Sequence, residues 1–135
     1  MVMVVGLNPS TADEVKNDPT VTRCINYVKQ WGYDGLIMTN IFAFRATDPT
    51  CMKEASEPVG SENDKNLIFA AKKARLVVCA WGNHGEFLDR GKQVAEMLMG
   101  IKGLHCLAIN KTGHPKHPLY LSKNLVPVKF SPTFL

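Results

Sequence analysis

The sequence predicts an α/β fold, a three-layer α/β/α sandwich around a four-stranded parallel sheet, and three observations carry that expectation. Four short runs, at residues 1–5, 35–42, 76–81 and 104–110, are apolar with little polar interruption, as strands covered on both faces are. Amphipathic segments long enough for right-handed crossover helices separate them. Each run ends abruptly in a polar cluster, GLNPST, NIFAFRAT, WGNHG or TGHPKHPLY, and the sites of such sheets lie beyond the carboxyl ends of the strands.

The first run, MVMVV, stops at Gly6, which permits an unusual φ or a close backbone approach. Pro9 stiffens the turn that follows, and Ser10, Thr11 and Asp13 supply hydroxyl and carboxylate groups near the start of a helix. Residues 12–19 read as polar and turn-like, and Asp18-Pro19-Thr20 introduces a helix over about 19–31. Val21, Cys24, Ile25, Val28 and Trp31 follow helical spacing and mark its buried face; Gly32 ends it.

GLIMTNIF, residues 35–42, reads as a second buried strand with the amide of Asn40 near its end. Residues 43–60, with Arg45, Asp48, Pro49 and Pro58, have no clear periodicity and read as a long functional loop. Ser61 with Asp64 has the form of a capping box and opens a second helix that buries Leu67, Ile68, Ala71 and Ala74. LVVCAW is the third strand, and a third helix over about 85–99 offers Phe87, Leu88, Val94, Ala95, Leu98 and Met99 to the core. LHCLAIN, residues 104–110, is the fourth strand. Beyond the histidine-containing loop the tail VPVKFSPTFL has little except Phe130 and Phe134 to dock it.

A chain of 135 residues makes one domain, residues 1–135, that buries roughly two thirds of its unfolded surface. An apolar fraction of 45% with 21% charged residues excludes disorder and collagen-like order. The net charge of +4 permits an anionic partner without requiring one, and there is no run of five like charges. No apolar run approaches the roughly 20 residues of a membrane span and no secretory leader is present, so a cytoplasmic protein without a membrane partner is expected. Cys24, Cys51, Cys79 and Cys106 contain no CxxC pair and read as reduced structural thiols.

Neither GxGxxG, a Walker loop nor GxSxG occurs. The strand ends instead bring amides, histidines and backbone donors, with few carboxylates, into one cleft collecting Asn8, Ser10, Asn40, Arg45, Asn83, His84, His114 and His117. That set suits positioning a water and stabilising a departing anion better than covalent catalysis. His114 and His117 stand as HxxH, but Gly113, Pro115 and Pro118 argue against a helix presenting both to a metal, and no metal or cofactor is expected. Structural readings stand beside these: Asn8 as a turn residue, Asn40 satisfying a neighbouring loop, Trp81 as packing, and Arg45 with Asp48 as a loop ion pair.

In order and position the four strand ends resemble the uracil-DNA glycosylase superfamily. GLNPS at residues 6–10 is similar to its water-holding G-x-D/N-P motif in the asparagine form. Asn40 in LIMTNIF matches the asparagine that reads a flipped base, LVVCAWG matches the third strand end, and GHPKHPLYLS approximates the HPSPLS-type loop. Within that range the chain is similar to an uncharacterised family of small bacterial and phage proteins marked by LNPSTAD, NIFAFRATDP and HPLYL.

The resemblance implies a uracil-DNA glycosylase-like fold and a DNA glycosylase-like activity on an altered or modified base, by base flipping. Catalytic roles fall on Asn8 and on either His117 or His114, since HPKHPLYL is one residue longer before its Pro-Leu than HPSPL; His117 is the first choice. Substrate contacts fall on Gly6, Pro9, Ser10, Thr11, Asn40, Phe42, Arg45 and Gly82, with Phe42 or Phe44 stacking on the base and Arg45 on phosphate. Ser10-Thr11 stands where asparagine-type members usually have a glycine, and the short chain leaves less surface to grip duplex DNA. The alternative is a non-catalytic module binding a nucleobase, nucleotide or modified DNA in the same pocket.

Overall fold

The strands Leu36–Asn40 (β2), Val2–Gly6 (β1), Leu76–Cys79 (β3), Leu104–Cys106 (β4) and Val128–Lys129 (β5) stand side by side in that order in one sheet. The first four are parallel, and β5 runs antiparallel to β4. The computed structural model describes residues 1–11 and 18–135; the turn expected at 12–17, with Asp13, lies outside the described residues.

Side chains alternate across the central strands, as a pleated strand requires. Met3, Val5, Val77 and Cys79 join a core cluster with residues of the helices Asn63–Lys73 (α3) and Arg90–Met99 (α4). Val2, Val4, Leu76 and Val78 join a second cluster with Cys24, Tyr27 and Val28 of the helix Pro19–Gln30 (α1). Helices therefore cover both faces of a five-stranded, mostly parallel sheet. Among the described residues no helix is long and apolar enough to cross a membrane.

The structure corrects several expectations. A fifth strand joins the four because Phe130, only 3% exposed, packs edge-on to Trp81 and donates its N–H to Leu104 O at 2.9 Å. The two residues of the strand Val128–Lys129 are too few to show a period, so the tail's docking does not appear in its pattern. Residues 121–125 strap onto α1: Arg23, Tyr27 and Trp31 donate to the carbonyls of Leu121, Ser122 and Leu125 at 2.7, 2.5 and 2.9 Å. The strand β2 is half-buried along its whole length, because it is the sheet edge. The fourth strand ends at Cys106, and residues 107–116 fold back on themselves through Lys116 N–H to Ala108 O (2.8 Å) and Asn110 N–H to His114 O (2.9 Å).

Within the expected loop of 43–60 a short helix forms, Pro49–Glu54 (α2), capped by Asp48, whose carboxylate accepts from Thr50 N–H at 2.9 Å, and anchored by fully buried Met52. Asp48 therefore caps α2 and forms no pair with Arg45. At the start of α3 no capping box forms: Asn63 and Asp64 turn to other partners, described below. The helix expected over 85–99 is broken into a 3₁₀ segment, Asn83–Asp89, and α4. Gly85 lies so close to the Trp81 indole that a Cβ there would meet Cδ1 at 2.1 Å. After Phe87 the chain turns through left-handed Leu88 (φ 54°) and Asp89 (φ 57°), which exposes Leu88 and buries Arg90. Met99, at the far end, is also exposed.

Candidate functional site

A cavity of about 990 Å³ opens beyond the carboxyl ends of β1, β2 and β3 and against the loop that follows β4. Its position follows from connectivity. From β1 the chain goes to β2 on one side and then returns past β1 to β3 on the other, so the loops leaving β1 and β3 diverge and leave a crevice between them.

The first wall is the turn after β1. Asn8 is half-buried, and its amide nitrogen donates to the carbonyls of Ala46 (2.7 Å), Pro9 (3.2 Å) and Phe44 (3.3 Å). Carbonyls only accept, so the nitrogen must face them and the oxygen Oδ1 faces the other way. Ala46 N–H returns a bond to Pro9 O at 2.9 Å, so this asparagine ties the loop after β2 to the turn after β1. Ser10 Oγ donates to Asp18 at 2.9 Å, while the other oxygen of Asp18 caps α1 by accepting from Thr20 and Val21 N–H at 3.0 and 3.2 Å. Pro9 and Ser10 line the cavity; exposed Thr11 does not, and shares a 2.6 Å hydroxyl contact with Thr47, which does.

The second wall is the end of β2. Asn40 is the register partner of Gly6, and a Cβ at Gly6 would come 2.8 Å from Asn40 Oδ1. The missing side chain at Gly6 is therefore what lets the Asn40 amide lie where it does. Among the described residues no hydrogen bond engages that amide. Its backbone is held firmly instead: Asn63 Nδ2 donates to the carbonyls of Asn40 (3.0 Å) and Ile41 (3.1 Å), and Arg90 Nε donates to Ile41 O at 2.7 Å. Arg90 is 3% exposed and forms a 2.6 Å ion pair with Asp64. The sequence reading missed this clamp. Its signal was there: Arg90, Val94 and Leu98 fall on one buried stripe, and a cation on such a stripe requires partners.

The third wall is the segment Trp81-Gly82 with the loop at 114–121, and here the two histidines separate. His117 lines the cavity, half-buried, and its Nδ1 accepts from Leu119 N–H at 3.3 Å, which puts the proton of the neutral ring on Nε2. Burial pulls its pKa below the ordinary 6.5, with nearby His84 lowering it further and Asp18 opposing. Gly82, at φ 75°, packs against His117 and donates its N–H to Pro115 O at 2.9 Å. His114 does not reach the cavity. It is buried behind it, accepts from the Trp81 indole N–H at 3.0 Å on Nδ1, and packs on the Phe134 ring with centroids 4.7 Å apart. Burial lowers its pKa as well.

Neither phenylalanine expected to stack on a base lies in the cavity. Phe42 is fully buried against Phe87 in the core cluster under α3 and α4, and exposed Phe44 is outside the lining. Arg45 does line it, with Nη1 donating to Ser10 O at 2.9 Å. The lining also includes Asn83, His84, Asn110, Lys116 and Tyr120. Of these, Asn110, Lys116 and Tyr120 were not among the residues the sequence offered to the cleft, and Lys111 and Lys123, on either side of Lys116 in the chain, stay outside the lining. Among the described residues Asp18 is the only carboxylate in the lining, and it already accepts three hydrogen bonds. Among the described residues, two permanent cations and two histidines stand against one satisfied carboxylate, a balance that favours an electron-rich or anionic guest.

The thiols take no part in this wall. Burial pushes Cys24 up to about 12 and Cys106 up to about 11, and Cys79 well above its usual value, so all three stay protonated. Among the described residues no three His, Cys, Asp or Glu side chains gather as metal ligands.

Comparison with known proteins finds no match among curated proteins and none among solved structures. One family, described as Protein of unknown function (DUF1643), matches residues 1–119, which take in all four parallel strands and the lining through Leu119; the chain belongs to that family.

Proposed function

We propose that this chain is a DNA glycosylase-like protein that receives a flipped base in the cavity and hydrolyses its N-glycosidic bond, on a fold of the uracil-DNA glycosylase type. The observation that carries the reading is that Asn8 after β1, Asn40 at the end of β2 and His117 in the loop beyond β4 line a single cavity. The Asn40 amide offers a donor and an acceptor to the edge of a pyrimidine. Asn8 Oδ1, aimed away from the carbonyls that hold its nitrogen, accepts a hydrogen from the attacking water. His117, protonated on Nε2 in its neutral form, donates to the base oxygen as negative charge develops there; losing such a donor typically lowers the rate about 100- to 1,000-fold. Arg45 and Lys116 supply charge for the flanking phosphates.

The test is incubation with oligonucleotides carrying uracil, thymine mismatches, or oxidised or hypermodified pyrimidines, followed by alkali to reveal abasic sites. Cleavage that disappears in Asn8→Ala and falls about 100-fold or more in His117→Ala is the expected result. Cleavage indifferent to both substitutions removes the mechanism. A second reading, binding without hydrolysis, draws on the commitment of both Asn8 and Asp18 to structural hydrogen bonds, and predicts retained binding with no base release across the panel.

A further inference from the structure

A planar guest needs an aromatic face, and with Phe42 in the core and Phe44 outside the lining, the second strand end does not provide one. We infer that Tyr120 is the residue that closes over a base-like ligand at the mouth of the cavity, an assignment that rests on the base-binding part of the reading above. Tyr120 lines the cavity, is 95% exposed, and holds a left-handed backbone at φ 69°. A non-glycine residue adopts that conformation at an energetic cost, and persists there only when something over-determines it.

The other two left-handed non-glycine residues, Leu88 and Asp89, have a reason within the fold: they turn the chain so that Arg90 enters the core. At Tyr120 the fold asks for the turn, which Leu121 N–H closes on Pro118 O, but not for a tyrosine: a side chain this exposed contributes almost nothing to packing, and glycine or asparagine would make the same turn at lower cost. The backbone on both sides is nevertheless anchored. Leu119 N–H bonds to His117 Nδ1 at 3.3 Å, Leu121 N–H bonds to Pro118 O at 3.4 Å, and Leu121 O accepts from Arg23 at 2.7 Å. A tethered turn thus carries a bare phenol ring three positions after the cavity histidine, and its amphipathic ring suits a base that is apolar on its face and polar on its edge. The turn serves the fold, and the tyrosine placed on it serves ligand contact.

The experiment measures binding of thymidine 5′-monophosphate and a short oligodeoxythymidylate to the whole chain, alongside thermal unfolding. The variants are Tyr120→Phe, Tyr120→Ala, Tyr120→Asn and Asn40→Ala. Stacking predicts that Tyr120→Phe binds as the parent does, while Tyr120→Ala and Tyr120→Asn lose roughly 5- to 100-fold. Tyr120→Asn should also unfold at the same or a higher temperature, since asparagine tolerates the left-handed region. Full affinity in Tyr120→Ala, with binding still lost in Asn40→Ala, overturns the assignment and leaves the base reading standing. Lower unfolding temperature in Tyr120→Asn shows a structural residue and overturns it too. Binding to neither probe by the parent chain removes the base reading and this inference together.

Discussion

Gly6 and Asn40 face each other across β1 and β2, and the hydrogen in place of a side chain at Gly6 is what gives the Asn40 amide its room. Gly6 does not have a positive φ, so alanine meets no backbone strain there; it meets Asn40 Oδ1 at 2.8 Å and Met38 Cε at 3.0 Å, both ends of movable side chains. Gly6→Ala should therefore change stability by less than about 1 kcal/mol, because the steric clash is offset by the smaller entropy of the unfolded chain. Ligand binding should drop with it, and a denaturation curve beside a binding isotherm separates the two effects. His114 makes the opposite argument, for structure over site. Its folded pKa lies below the ordinary 6.5 because burial disfavours the imidazolium, and a proton on Nδ1 would also set a donor against the Trp81 N–H. The unfolded state then binds more protons, so the stability from neutral His114 is complete above about 6.5 and fades as pH falls through the lowered folded value. Unfolding midpoints should drop between neutral and mildly acidic pH, and His114→Phe should flatten that drop; an unchanged slope in the variant would assign the acid sensitivity elsewhere. Both asparagines and His117 were legible as cavity residues because they lie on or after apolar strand runs, whereas composition and periodicity offer nothing to tell a core histidine from a cavity histidine three positions away, and only the Pro-Leu after His117 put it first. That distinction comes from Trp81 and Phe134, both remote in sequence.

At the scale of elements, period decides what sequence reveals. The long helices α1 and α3 and the strands β1 to β3 carry enough consecutive apolar positions to declare themselves, and they sit within a few residues of expectation. The elements that escaped are short or broken by tertiary contact: α2 with six residues, β5 with two, and the kink before α4, which exists because Gly85 must pass over Trp81. That kink has a mechanical result, since it seats Arg90 where one side chain bonds Ile41 O and Asp64 together and so links α3, α4 and the segment after β2. Arg90→Met keeps the apolar stem and removes both bonds. Asp64, 55% exposed, then falls back on water, while Ile41 O keeps only Asn63, so the loss should be about 1–3 kcal/mol in chemical denaturation. Arg90→Lys should not restore it, because a single ammonium on a flexible stem does not reproduce the planar fork that addresses both acceptors. Full rescue by lysine would reduce the clamp to simple charge.

For the whole molecule, parallel topology turns four distant polar clusters into one address, and that convergence was readable from strand order alone; the cavity's electrostatic character was not. A net charge of +4 spread over the chain says little, but among the described residues the permanent charges lining the cavity are Arg45 and Lys116 against a single carboxylate that is already bonded, while Lys111 and Lys123 stay outside. Under the proposed base-binding reading, this arrangement separates the two forms such a ligand takes. A nucleotide within a strand brings phosphates, and if Arg45 and Lys116 each neutralise one on a single strand, log K should fall against log salt with a slope of about −1.4. A free base brings none, and its affinity should hardly respond. Arg45→Gln and Lys116→Gln should each make the slope shallower by about 0.7 while leaving free-base affinity in place, because neither side chain is needed to read a base edge. Titrating an oligodeoxythymidylate and free thymine across a salt series, in the parent and both variants, measures these slopes directly. A steep slope unchanged by either substitution would place the phosphate path on the outer lysines, Lys111 and Lys123, and make the cavity a pocket for the base alone.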